Sequence, residues 1–213
     1  MATQFIPTDI AYDFAGPVAF RQGPTGITRT GLAQESQSRF QIPLADLRLS
    51  TAFQTPLPGT SAGSDFGITT GTWGTGVPYA SCGDCRNVTI LRYFAFEFLL
   101  PYNYVGGQTV TIMANAGYLT TLPNGAATLV FEVYKSGRNT LISGVNLVTT
   151  SAMSIKDLIA GTFGERKFNV TGTGLSPGDT IFVRAALSSV DGQAAVAVIP
   201  AISDIAMLCD TKG

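Results

Sequence analysis

After Val88 the chain alternates. In the segment 93–100, Phe94, Phe96, Phe98 and Leu100 fall on every second residue, Glu97 faces the other way, and Pro101 ends the run. A period of two belongs to a strand with one buried face. The segment 109–113 repeats it, with Val110 and Ile112 inward and Thr109 and Thr111 outward, and 128–134 puts Leu129, Phe131 and Val133 on one face. Gly106-Gly107 supplies a turn, and Asn124-Gly125 is a hairpin signal. The segments 141–148, 166–170, 180–187, 194–199 and 202–209 continue the pattern, separated by Ser136-Gly137, Ser176-Pro-Gly-Asp179 and Asp191-Gly192. The one helical signal is 154–160, where Ser154 is placed to cap, Asp157 follows three residues on, and Gly161 lies past the end. Roughly seven to nine short antiparallel strands predict an all-β, two-sheet antiparallel β-sandwich of jelly-roll type. No repeat of fixed period calls for a propeller or solenoid.

The amino-terminal part follows no such grammar. Residues 1–40 carry Pro7, Gly16, Pro17, Gly23, Pro24, Gly26 and Gly31 with Phe5, Phe14, Phe20 and Phe40 spaced between them. This reads as an extended arm ordered by contact with a neighbour, since isolated phenylalanines need a surface to lie on. The sandwich domain is then 41–213, opening with a short strand over 41–48 and including a long Gly/Thr/Ser-rich loop at 50–87.

Charge removes several functions. Only 27 of 213 residues are charged, the net charge is −1, and there is no histidine. A polybasic nucleic-acid groove, an imidazole base and a histidine metal ligand are therefore not expected. The arm is neutral as well, with Arg21, Arg29 and Arg39 against Asp9, Asp13 and Glu35. Residues 1–9 have neither the basic stretch nor the apolar stretch of a secretory signal, which predicts folding in the cytoplasm of the producing cell. The longest apolar run, 194–202, spans nine residues and contains Pro200, so no membrane span is expected.

Candidate chemistry is sparse. Cys82-Gly-Asp-Cys85 is half of a zinc pattern with only Cys209 to add, so it reads as a dispensable turn, with a disulfide across it optional. Asn87-Val-Thr89 and Asn169-Val-Thr171 match a glycosylation pattern that a Thr-rich chain produces by chance. Serines have no histidine to activate them. The acids read as turn residues (Asp179, Asp191) or outward strand residues (Glu97, Glu132) rather than a hydrolytic pair. Catalytic residues, cofactors and metals are therefore none. Trp73, the single tryptophan, sits on a Gly-rich loop close to Tyr79, where such rings stack on sugars, anchor a protein partner, or fold back over the sandwich edge.

Two uncharged runs, 98–131 and 139–155, predict that much of the outer surface is covered in an assembly, because interface cores are depleted in charge. With its Gly/Pro/Phe arm, its uncharged loop, and the segments Leu175-Ser-Pro-Gly-Asp-Thr-Ile-Phe-Val-Arg184 and Ile202-Ser-Asp-Ile-Ala-Met-Leu, the chain resembles the jelly-roll capsid decoration, or cement, proteins of tailed bacteriophages. That resemblance implies a non-enzymatic homotrimer on the capsid exterior of a virion. It implies binding to the major capsid protein and to copies of itself. The arm's spacing marks Phe5, Phe14 and Phe20 as partner-binding residues, and the Gly-rich loop marks Trp73 and Tyr79, which also motivate an alternative. The alternative is a receptor- or carbohydrate-binding sandwich of a tail fibre or adhesin, with a glycan as partner.

Overall fold

The computed structural model describes residues 36–61, 65–71, 76–136, 146–156, 159–192 and 196–212. Among the described residues eleven strands form: β1 Ser36–Ile42, β2 Gly67–Thr69, β3 Tyr79–Ser81, β4 Thr89–Leu99, β5 Val110–Tyr118, β6 Ala127–Ser136, β7 Asn146–Thr149, β8 Met153–Ser154, β9 Phe163–Val170, β10 Thr180–Val190 and β11 Pro200–Thr211. One sheet runs β2-β3-β11-β5-β9, with β1 sharing the β3 edge of β11, and the other runs β4-β10-β6-β7, with β8 also on β6. Every strand pair is antiparallel.

The pairing is that of a jelly roll. The eight strands β1, β4, β5, β6, β7, β9, β10 and β11 join as first with last, second with seventh, third with sixth and fourth with fifth. This is one long hairpin rolled into two sheets, and β11 on β5 and β10 on β6 close the roll.

The core follows the alternation. Phe94, Phe96, Phe98, Ile112, Leu129, Phe131, Val133, Ile181, Val183 and Leu187 are buried between the sheets. A chain of phenylalanines crosses the sandwich, edge to face from Phe66 to Phe94 (4.9 Å), Phe96 to Phe131 (6.4 Å) and Phe131 to Phe168 (4.7 Å), with Phe94 and Phe96 stacked at 6.3 Å between them. Aromatic contacts of these two kinds add about 0.5–1.5 kcal/mol each beyond area burial. In β11 a register shift between Ile202 and Asp204 inserts one residue, so that Ile202 and Ile205 both reach the core. At the other end of the core, buried Ser189 Oγ lies 3.2 Å from Tyr118 Oη and 3.3 Å from Cys85 Sγ, satisfying three polar groups at once.

Several expectations need correction. The sandwich starts at Ser36 rather than 41, because β1 pairs with β11 from Ser36 opposite Thr211. The strand expected over 41–48 stops at Ile42, and a 3-10 turn Leu44–Asp46 follows Pro43. The stretch 50–87 holds two short strands, β2 and β3, and is not one loop. The signal at 154–160 does not make a helix in the described residues. Met153 and Ser154 pair with Leu129 and Thr128, and Ser154 gives its carbonyl to Arg166 Nε at 2.8 Å, so sheet pairing overrides the local cap. Asn124-Gly125 is a corner between sheets rather than a hairpin. Its conformation is fixed by Asp191, whose carboxylate accepts Asn124 N–H at 3.0 Å, and by Val190 O, which a Cβ on Gly125 would meet at 2.2 Å.

The Cys82–Cys85 turn is a clasp onto the start of β11. Cys82 and Cys85 donate backbone N–H groups to Pro200 and Val198, Asp84 accepts Val198 N–H at 2.9 Å, and Gly83 takes φ +76° at the bend. All three thiols are free and buried. Desolvation raises each of them, Cys82 well above the usual thiol range and Cys209 to about 11.

The uncharged run 98–131 does not become an uncharged face. It supplies β5, a central strand, whose outward residues lie in rows with charged neighbours: Asp204–Asn115–Glu165 and Ala206–Met113–Lys167. Arg39–Asp204 (2.7 Å) and Lys167–Glu165 (3.0 Å) ion pairs flank it on both sides.

Candidate functional site

The outward face of the β4-β10-β6 sheet gathers charged, hydroxyl-bearing and aromatic side chains. Its strands place them by register: Glu97–Phe182–Tyr134 form one row, Ala95–Arg184–Glu132 the next, and Tyr93–Ala186–Val130 a third. Alternation is the local cause, since 93, 95, 97 on β4, 182, 184 on β10 and 132, 134 on β6 all oppose core residues. The inward neighbours Phe94, Phe96, Ile181, Val183, Phe131 and Val133 hold those backbones rigid.

At the centre Arg184 and Glu132 form an ion pair. Arg184 donates to Glu132 Oε2 through Nε at 2.9 Å and Nη2 at 2.6 Å. Tyr134 donates its hydroxyl to the same oxygen at 3.1 Å, and the guanidinium carbon stands 5.2 Å over the Tyr93 ring. The pair is half open to solvent, with side-chain exposures of 43% for Arg184 and 21% for Glu132. Burial comes first, then the Glu132 contact, in pushing the Tyr134 hydroxyl above its ordinary range, so it stays a donor at neutral pH.

One wall comes from outside the sheet. The segment 47–57 folds back on itself, with Leu49 N–H to Thr55 O at 2.9 Å and Leu57 N–H to Leu47 O at 3.1 Å. It pairs with the β4 edge, where Arg48 and Ala95 exchange backbone bonds at 2.8 and 2.9 Å. Buried Leu47 and Leu57 anchor it, and Asp65 accepts both the Ser50 N–H (3.1 Å) and the Ser50 hydroxyl (3.0 Å). Phe53 at its tip meets Phe182 edge-on at 5.5 Å and 74°. Phe53 thereby separates two clefts. One of about 540 Å³ is lined by Asp46, Arg48, Phe53, Glu97, Leu99 and Thr180. The other, of about 240 Å³, is lined by Ser50, Phe53, Ala95, Tyr134, Phe182, Val183 and Arg184. Their combined size falls in the range of small-ligand sites.

The residues expected to bind a partner are elsewhere. Phe5, Phe14, Phe20 and Trp73 lie outside the described residues. Tyr79 is half buried on β3, opposite Thr69 in the other sheet. Sequence reasoning took Glu97 and Glu132 as solvated strand residues and missed Tyr93, Arg184, Tyr134, Phe182 and Phe53. The available signal was aromatic and charged residues at the outward positions of three strands.

No family model matches the chain, and no curated protein matches it. Among solved structures it is similar to the CBM22-1 xylan-binding domain of Paenibacillus barcinonensis Xyn10C, at 12% identity over 70% of this chain and 81% of that one, with TM-score 0.37. It is similar to the K3 adhesin domain of Porphyromonas gingivalis Lys-gingipain at 15% identity, over 78% and 92% of the two chains, TM-score 0.36. It is also similar to the enzymatically active domain of tailspike protein 4 of bacteriophage CBA120, at 9% identity over 82% of this chain and 19% of that one, TM-score 0.38. Likeness at this level says nothing about ligand or role, and the jelly-roll assignment rests on the strand pairing.

Proposed function

We propose that the protein is a non-catalytic glycan-binding module and that the outward face of the β4-β10-β6 sheet is its binding surface. The observation that carries this is the Glu132–Arg184 pair set among Tyr93, Tyr134, Phe182 and Phe53. Sugars present hydroxyls that need planar donors and acceptors beside C–H faces that lie on aromatic rings, and this surface offers both on a rigid sheet. Glu132 is committed to two partners, which suits holding a ligand better than shuttling a proton. The test is retention and calorimetry on a panel of soluble polysaccharides, with Phe53→Ala and Arg184→Met beside the parent chain. Binding to at least one glycan that both variants lose is the expected result. A chain that ignores the whole panel refutes the reading.

A second reading is favoured by residues 1–35, which space Phe5, Phe14 and Phe20 between Pro and Gly at a net charge of only −1. In it the chain coats a phage capsid as a homotrimer, held to the major capsid protein by the arm. Co-sedimentation with capsids, lost when the arm is removed, is the outcome it requires.

A further inference from the structure

All three donors at Glu132 land on one oxygen. Oε2 takes Arg184 Nε, Arg184 Nη2 and Tyr134 Oη, whereas Oε1 has no partner among the described residues, and neither has Arg184 Nη1. The ion pair is thus internally neutral yet keeps an unused acceptor and an unused donor. The larger cleft beyond Phe53 adds two carboxylates, Asp46 and Glu97, against one guanidinium, Arg48. Nothing in these linings supplies the surplus positive charge that carboxylated or sulfated sugars call for. With Arg184 neutralised by Glu132, the remaining charges, Asp46 and Glu97 against Arg48, are net negative and repel such groups.

We infer that the surface selects neutral glycans, with one ring hydroxyl donating to Glu132 Oε1 and a neighbouring one accepting from Arg184, and that it discriminates against acidic glycans through Asp46 and Glu97. This rests on the glycan reading above. Specificity then has two separable parts. The hydroxyl pair is read at the Arg184–Glu132 edge, and the charge is read in the larger cleft.

Matched oligomers isolate the second part. A β-1,4-glucan hexamer and a β-1,4-glucuronan hexamer differ only at C6, as do β-1,4-mannan and β-1,4-mannuronan hexamers. These pairs are measured by calorimetry at low and high salt beside neutral galactan and xylan oligomers and acidic galacturonan. The tightest binder should be neutral, with acidic oligomers about tenfold or more weaker at low salt and the gap narrowing at high salt. Asp46→Asn with Glu97→Gln should raise the affinity for acidic oligomers several-fold relative to that for their neutral partners. Per-O-methylation of the best neutral oligomer keeps the ring but removes its donors, and should abolish binding. An acidic oligomer that binds as well as or better than every neutral one overturns the inference while leaving the glycan reading standing, and so does undiminished binding of the methylated ligand. If no oligomer binds at all, the glycan reading itself fails.

Discussion

Glu132→Gln is the most informative single change, because it keeps shape and removes the charge on which three donors converge. Two costs can be separated. For stability, the Arg184–Glu132 pair is half open, so its contribution lies in the range of partly exposed ion pairs, about 0.2–1 kcal/mol. The amide retains one acceptor oxygen for Tyr134 or Arg184. The expected loss is therefore about 1 kcal/mol or less, visible as a fall in urea midpoint at constant slope and as a melting shift of about 2–4 °C. For binding, the ligand hydroxyl that donates to Oε1 loses a charge-assisted bond, worth about 1.5–3 kcal/mol, or roughly tenfold to a hundredfold in affinity. A double-mutant cycle with Arg184→Met should return a coupling below about 1 kcal/mol in stability and a larger one in binding. Urea titration and calorimetry on the same preparations make the comparison. If Glu132→Gln binds the parent's glycan with unchanged affinity, the carboxylate does not read the ligand. If it loses more than about 3 kcal/mol of stability, the cluster is a structural element and the reasoning fails.

Three other outcomes are expected. Phe131→Ala removes the ring that links Phe96 to Phe168 and should cost about 3–5 kcal/mol in urea unfolding. The Val198 N–H bond, followed by the Arg86 N–H bond and charge against an opposing burial effect, holds the Asp84 carboxyl below its ordinary range. Its stabilisation is thus complete above the unfolded value of about 3.9 and is lost as pH falls through the folded value. Acid titration should show the parent's advantage over Asp84→Asn constant above about pH 5 and shrinking below about pH 4. Cys82→Ser places a hydroxyl where the thiol is 2% exposed and should cost about 1–3 kcal/mol if the hydroxyl finds no partner, with Cys82→Ala costing less by the same urea titration.

What could be read in the sequence was whatever one strand decides alone. The inward sets at 94–100, 110–112 and 129–133 follow from alternation, because a strand buried on one face must alternate wherever it pairs. The site is a property of adjacency. Arg184 meets Glu132 and Tyr93 only because β10 lies between β4 and β6, which follows from rolling the hairpin, not from any local pattern. Phe53 was harder still to read. It comes from an irregular segment whose fold-back depends on Asp65, fifteen residues beyond Ser50, and on a free β4 edge. The failed helix shows the converse, since a valid cap signal at Ser154 lost to two residues of sheet pairing.

The uncharged run is the case in which sequence position and surface position part most sharply. Thirty-four residues without charge would demand a covering partner if they formed a face of their own, but β5 sits between β11 and β9. Its outward Thr111, Met113 and Asn115 are bordered by Arg39, Asp204, Glu165 and Lys167. Charge on this face is therefore supplied by neighbours, and this strand gives no ground for a trimer. Under the capsid reading, a homotrimer is then expected to depend on residues 1–35. Removing residues 1–35 deletes no residue of β1–β11, and the shortened chain is expected to keep its melting temperature and run as a monomer in light scattering at high concentration, whatever the full chain does. A shortened chain that still forms trimers would place the interface on the sandwich itself and refute this argument.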